Sequence, residues 1–235
     1  HRWDVTPADA RRIQARLRKK VRLTPLPPRP RTVAGADCAF SRDRETVAAV
    51  VVVFALPRLE VVERAEAFAP LGFPYVPGLL TFREGPALLA AFKKLEAAPD
   101  VALFDGQGYA HPHRLGLATH LGLWLETPTV GVAKSRLVGE AREVPERAGR
   151  YRTLYDAGEA VGRVVRTRDR TKPLYVSPGH LCDLDGAMRV TLRCGGGYRL
   201  PEPTRVADRE VARLVGRGGR GPGTPRPRRS SPRTP

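Results

Sequence analysis

The spacing of apolar and polar positions changes period several times along the chain, and the changes divide it into elements. Over residues 7–21, PADARRIQARLRKKV, apolar Ile13, Leu17 and Val21 recur every fourth position among basic residues. That stripe predicts an amphipathic helix, with Thr6 as its N-cap and Pro7 at its first position. The proline-rich connector LTPLPPRPR leads into VAGADCAF, a short apolar run that reads as a strand. AAVVVVFAL (48–56) is β-branched and almost unbroken, as expected of a central strand buried on both faces. EVVERAEAF (60–68) is a more polar strand nearer an edge, and the short connections make these three antiparallel neighbours. The pattern then turns helical in EGPALLAAFKKLEAA (84–98) and strand-like in PDVALFDGQG (99–108). A second helix, HRLGLATHLGLWLE (113–126), and another buried strand, TPTVGVAKS (127–135), follow. Beyond them VGRVVRTRD (161–169) and PLYVSPGH (173–180) read as strands and DLDGAMRVTLRC (183–194) as a helix. The order predicts an α/β fold: a mixed sheet, three antiparallel strands and then parallel ones, flanked by helices.

One segment resists this parsing. In GFPYVPGLLTFREG (72–85), Pro74 and Pro77 each remove a backbone donor and fix φ, which excludes a central strand or a helix interior there. Tyr75 is thus held on a stiff turn, either as a packing plug or as a probe that enters something else.

Composition adds a partner class. The net charge is +17. Residues 1–31 carry ten basic against two acidic side chains, and residues 209–235 eight against one, so both ends are basic and the body is near neutral. Basic ends raise salt-dependent affinity for polyanions. The last twenty residues, GRGGRGPGTPRPRRSSPRTP, are low in complexity and expected to be disordered. The division expected is a basic helix and connector (1–32), one globular domain (33–215) and a tail (216–235). No run of apolar residues is long enough for a transmembrane helix, and the first residues lack the apolar core of a secretory signal. Three cysteines, Cys38, Cys182 and Cys194, lack metal or disulfide spacing, so a reducing, cytoplasmic setting without membrane association is expected.

Candidate chemistry lies in carboxylates. Asp37 falls inside an apolar strand, where an unpaired charge is costly, and Asp105 closes another at the end where α/β sheets present ligand crevices. Glu84 opens the predicted helix beyond the Tyr75 turn, and Asp208 follows PEPTRVA. If they converge, they form an oxygen-rich site suited to Mg²⁺. Singly, Glu84 reads equally as a carboxylate on a helix dipole and Asp208 as a surface charge. Lys134 ends the strand TVGVAK, to contact a phosphate or to snorkel into solvent. His111 and His113 are a weak zinc pair, and His120, His180, Cys38 and Cys182 read as packing residues.

Taken in series, GADCAF, FPYVPGLLTFREGPALL, LFDGQGYAHPHRLGLATHLG, PTVGVAKSRL, SPGH and GYRLPEPTRVAD resemble the endonuclease V family from about Val33 to Asp208. The resemblance implies a ribonuclease H-like fold and Mg²⁺-dependent nicking, with Mn²⁺ as a substitute. The target is DNA holding a deaminated base such as hypoxanthine, cut at the second phosphodiester bond 3′ to the lesion to leave 3′-hydroxyl and 5′-phosphate. It further implies metal carboxylates Asp37, Glu84 and Asp105, an active-site Lys134, and an acidic or histidine position at Asp208. PYVPG resembles the family's wedge: Tyr75, with Pro74, Val76 and Pro77, would fill the space of an extruded base. The base would enter a pocket around Gly78, Leu80, Gly116 and Leu117, with His111 and His113 on the nucleic acid. Two positions depart from the family pattern, Gln107 in DGQG and His113 where an arginine would touch a phosphate. A monomer is expected. Inosine-containing RNA as substrate, and a non-catalytic basic nucleic-acid binder, are the alternatives.

Overall fold

The computed structural model describes residues 1–217. Helix α1 (Pro7–Leu17) starts where Thr6 Oγ1 accepts from the amide of Asp9, and a 3₁₀ turn, Arg18–Lys20, ends it. Its face buries Ala10 and Gln14 completely, while the apolar Ile13 and Leu17 are only half-buried.

The centre is one mixed sheet of eight strands. β1 (Thr32–Phe40), β2 (Thr46–Ala55) and β3 (Glu60–Pro70) form an antiparallel meander with β3 at the edge, as the polarity of the three segments predicts. On the other side of β1 lie β4 (Ala102–Phe104) and β5 (Thr129–Ala133), both parallel to it. The sheet continues, antiparallel again, through β8 (Leu174–Pro178) and β7 (Glu159–Val165) to β6 (Tyr151–Asp156). The strand over 151–156 is absent from the pattern reading, because YRTLYD is half exposed and carries no apolar run.

Alternation along β2 shows how the sheet acquires two cores. Val50, Val52 and Phe54 face one layer, with α4 (Leu184–Arg193) and α5 (Glu202–Arg217) over it. Val47, Val51 and Val53 face the other, under α2 (Leu80–Phe92) and α3 (Leu117–Leu125). Two helix starts differ from expectation. α2 begins four residues early, so Glu84 lies inside it rather than opening it, and the dipole reading of that carboxylate falls. α3 begins at Leu117 because Arg114 takes a positive φ of 54° and holds residues 113–116 as a loop. α5 went unread as a helix, although Val206, Ala207 and Val211 mark its buried face. Gly216 and Arg217 close α5, and the rest of the expected tail, 218–235, lies outside the described residues. Among the described residues no helix is long and apolar enough to cross a membrane.

Candidate active site

Strand register brings the first two carboxylates together. Ala36 of β1 lies opposite Phe104 of β4 in a parallel pair, so the next residues, Asp37 and Asp105, stand side by side. The third comes from α5, which crosses β1 at Gly35. A Cβ there would sit 2.1 Å from the Pro203 carbonyl, so only glycine lets the helix approach this closely. The approach delivers Asp208: one carboxylate oxygen each from Asp37, Asp105 and Asp208 lie within 4.8 Å of one another. Glu84 is not one of these three. It is buried on α2, near enough for the charges of Asp37 and Asp105 to act on it. Lys134 follows β5 directly, and its Nζ lies 2.5 Å from Asp105 Oδ2 and 3.0 Å from Asp208 Oδ1. Arg199 steadies that lysine's backbone, donating to the Lys134 carbonyl at 2.8 Å and to that of Pro173 at 3.0 Å. An arginine that binds carbonyls leaves no pattern in a sequence, and Arg199 was missed for that reason.

The cluster holds more negative charge than it can comfortably carry. Burial, then the neighbouring charge of Asp105, pushes Asp37 up to about 7, against the bond it accepts from the Cys38 amide and the pull of Lys134. Burial and the charges of Asp37 and Asp105 push Glu84 up to about 8. Asp105 is also raised by burial, although Lys134 opposes the shift. Burial alone would lower Lys134. Its bonds to Asp105 and Asp208 outweigh that and keep it protonated. Three converging carboxylates, with one shared ammonium, form a hard oxygen donor set whose repulsion a divalent cation relieves. The residues fit such an ion.

Beside the carboxylates opens a cavity of about 330 Å³. Asp105 and Lys134 form part of its wall, and so do Tyr75, Val76, Pro77, Gly78 and Leu80 from the proline-clamped turn. His111, Gly116 and Leu117 line it as well, whereas Pro74 and His113 are exposed and lie outside the lining. Tyr75 is 72 % exposed, which excludes the packing-plug reading. Gly78 adopts φ +80°, a left-handed conformation that glycine alone takes without strain. Buried His111 presents Nε2 to the Gly78 carbonyl at 3.0 Å and Nδ1 to the His113 amide at 3.1 Å. Burial holds it neutral, with its pKa down at about 4. Gln107 also lines the cavity and donates to the Ser135 carbonyl at 2.8 Å. Arg114 turns inward instead, to Asp156 at 2.7 Å and Glu159 at 2.8 Å, tying this loop to the β6–β7 hairpin.

The carboxylate cluster and the cavity flanked by Tyr75 thus share one wall, at Asp105 and Lys134. The sequence matches the Endonuclease V family over residues 15–209. The chain belongs to the endonuclease V family. The Endonuclease V of Gloeobacter violaceus is 51 % identical over 210 residues, covering 88 % of this chain and 85 % of that protein. The crystal structure of Endonuclease V from Streptomyces avermitilis superposes with a TM-score of 0.86 at 42 % identity, covering 92 % of this chain and 95 % of that one. Endonuclease V of Ciona intestinalis, solved in complex with a 24mer DNA containing an inosine followed by a ribo-adenosine, superposes with a TM-score of 0.79. It is 27 % identical, and 89 % of this chain and 98 % of that one are covered. The ribonuclease H-like mixed sheet therefore stands. As endonuclease V is a metal-dependent nuclease family, the chain is a hydrolase of phosphodiester bonds.

Proposed function

We propose that this endonuclease V nicks DNA beside a deaminated base, with hypoxanthine as the main target and Mg²⁺ as the ion. The cut falls at the second phosphodiester bond 3′ to the lesion and leaves a 3′-hydroxyl and a 5′-phosphate. The observation that carries the reading is the shared wall: Asp105 and Lys134 belong at once to the carboxylate cluster and to the cavity behind Tyr75. A nucleotide seated in that cavity has its neighbouring phosphates within reach of the cluster. The Ciona intestinalis complex with inosine-containing DNA supports the substrate class.

Asp37, Asp105 and Asp208 would hold the ion, with Glu84 as the buried carboxylate beside them. When bound, a divalent cation supplies charge stabilisation at the phosphoryl oxygens and a more acidic water. The protein's own residues do the rest. Tyr75, exposed on a turn stiffened by Pro74 and Pro77, stacks where the extruded base has left the helix, a contact worth ~1–3 kcal/mol. Extrusion costs least at a poorly paired base, so the wedge favours lesions over normal pairs. Lys134 presents a fixed positive charge toward the phosphate, positioned from behind by Arg199.

The test is nicking of end-labelled duplexes with one inosine, with and without Mg²⁺, alongside matched RNA and an oligomer whose residue 3′ to inosine is ribo-adenosine. Product mapping to the second bond 3′ of inosine, dependent on Mg²⁺, is expected. Equal nicking of inosine and adenine duplexes would sink the lesion assignment. Cleavage confined to the RNA strand would move the substrate to inosine-containing RNA.

A further inference from the structure

The turn that walls the cavity is held from outside it, by a residue 64 positions earlier in the chain. Gln14 of α1 is completely buried, a rare state for a glutamine. Its Nε2 donates to the Gly78 carbonyl at 2.8 Å and reaches the Leu115 carbonyl at 3.4 Å. Gly78 belongs to the wedge turn, and Leu115 directly precedes Gly116 and Leu117, which line the cavity from the other side. One amide group therefore spans the two backbone segments between which a base would sit. The Gly78 carbonyl receives a second donor, His111 Nε2, at 3.0 Å. With His111 Nδ1 engaged by the His113 amide, the proton of the neutral ring belongs on Nε2. Two donors thus fix a peptide plane at a glycine, where the backbone is otherwise freest to rotate.

Packing alone does not explain a glutamine here. Its Oε1 is buried and has no partner among the described residues, a cost that leucine of similar volume would avoid. The surroundings are apolar: Ala10, Phe73, Leu79 and Phe82, with Trp3, Val5, Ile13 and Val76 against them, pack α1 onto the same turn. What glutamine adds is the donor.

We infer that Gln14 is a positioning residue for the base pocket: with His111 it sets the Gly78 carbonyl and fixes the separation of the wedge turn from the Gly116–Leu117 wall. The inference rests on the pocket reading above and assigns to the N-terminal helix a part in selecting the base.

Two variants test it. Gln14→Leu keeps the volume and removes both donors. Gln14→Met keeps the unbranched length of the side chain and has no N–H to donate, so it serves if the leucine variant does not fold. Hydrogen exchange of residues 76–82, measured without nucleic acid, should quicken about 10-fold in either variant while the β1–β2 strands are unchanged. The ratio of kcat/KM for inosine over adenine duplexes should fall about 10-fold, through KM, with kcat within about twofold. Unchanged exchange over 76–82 would overturn the inference. So would quickened exchange with full discrimination, which would leave Gln14 a structural residue only. A wild-type protein that nicks no inosine substrate sinks the proposed function instead, and the exchange comparison then decides the brace by itself.

Discussion

The carboxylate cluster and the wedge turn meet at Asp105 and Lys134, yet they are built in opposite ways. The cluster draws single residues from β1, the end of β4 and α5, which lie far apart in sequence and meet only through sheet register and one close helix–strand contact. The wedge is contiguous, Pro74 to Leu80, and owes its form to two prolines, one left-handed glycine and outside support. A site assembled from distant elements depends on the whole fold and fails abruptly. A local loop fails by degrees.

That contrast can be broken experimentally. The largest effect expected is at Asp105: Asp105→Asn should lower the nicking rate at saturating Mg²⁺ by about 10³-fold or more while the far-ultraviolet dichroism stays native. Retained activity would remove Asp105 from the chemistry. Gly35→Ala comes next. A methyl group within 2.1 Å of the Pro203 carbonyl must push α5 away, and Asp208 moves with it. Activity should drop by about 10²-fold or more, together with several degrees of Tm at roughly 2–4 °C per kcal/mol for this size. Full activity with a lowered Tm would show that Asp208 is dispensable.

The wedge should respond more gently. Tyr75→Ala is expected to weaken binding of inosine duplexes about 10-fold, the loss of one stack, with turnover at saturation little changed. A fall in kcat alone would mean that Tyr75 belongs with the chemistry instead. The smallest effect is one of pH. Glu84 has a raised folded-state pKa of about 8, so the protein loses stability from this group as pH rises from about 4.5, where the unfolded chain ionises, through 8. Metal-free Glu84→Gln should therefore gain on metal-free wild type by several degrees of Tm across that range, with no difference below pH 4.5. A constant difference would mean that Glu84 is not strained by its burial.

Legibility in the sequence followed the same division. β2 announced itself because its residues are buried on both faces, and β3 because its polar ones are not. The proline-clamped turn was visible as an anomaly, since proline and glycine act on their own backbone whatever surrounds them. Asp37 was conspicuous as a charge in an apolar strand. What pattern could not give was convergence. Nothing in TRVADRE says that α5 crosses β1 at a glycine, so Asp208 read as readily as a surface charge. Glu84 misled in the other direction, because EGPALL looks like a helix start when α2 has already run one turn. Gln14, one polar side chain among basic ones on a helix, carries no signal of its own in the sequence. Its burial is a property of the turn that packs over it.

The meeting of Gly35 with Pro203 has one more consequence. Side chains around a bound ion can change rotamer when an ion of different radius enters, whereas two main chains in contact have nothing to rotate. The main chains that carry Asp37 and Asp208 are therefore held at a separation set by backbone thickness, which leaves only the rotamers of the two aspartates to adjust to what lies between them. If Asp37 and Asp208 hold a divalent ion as proposed, the range of ion sizes they can accommodate is limited at position 35, by an atom that is not there.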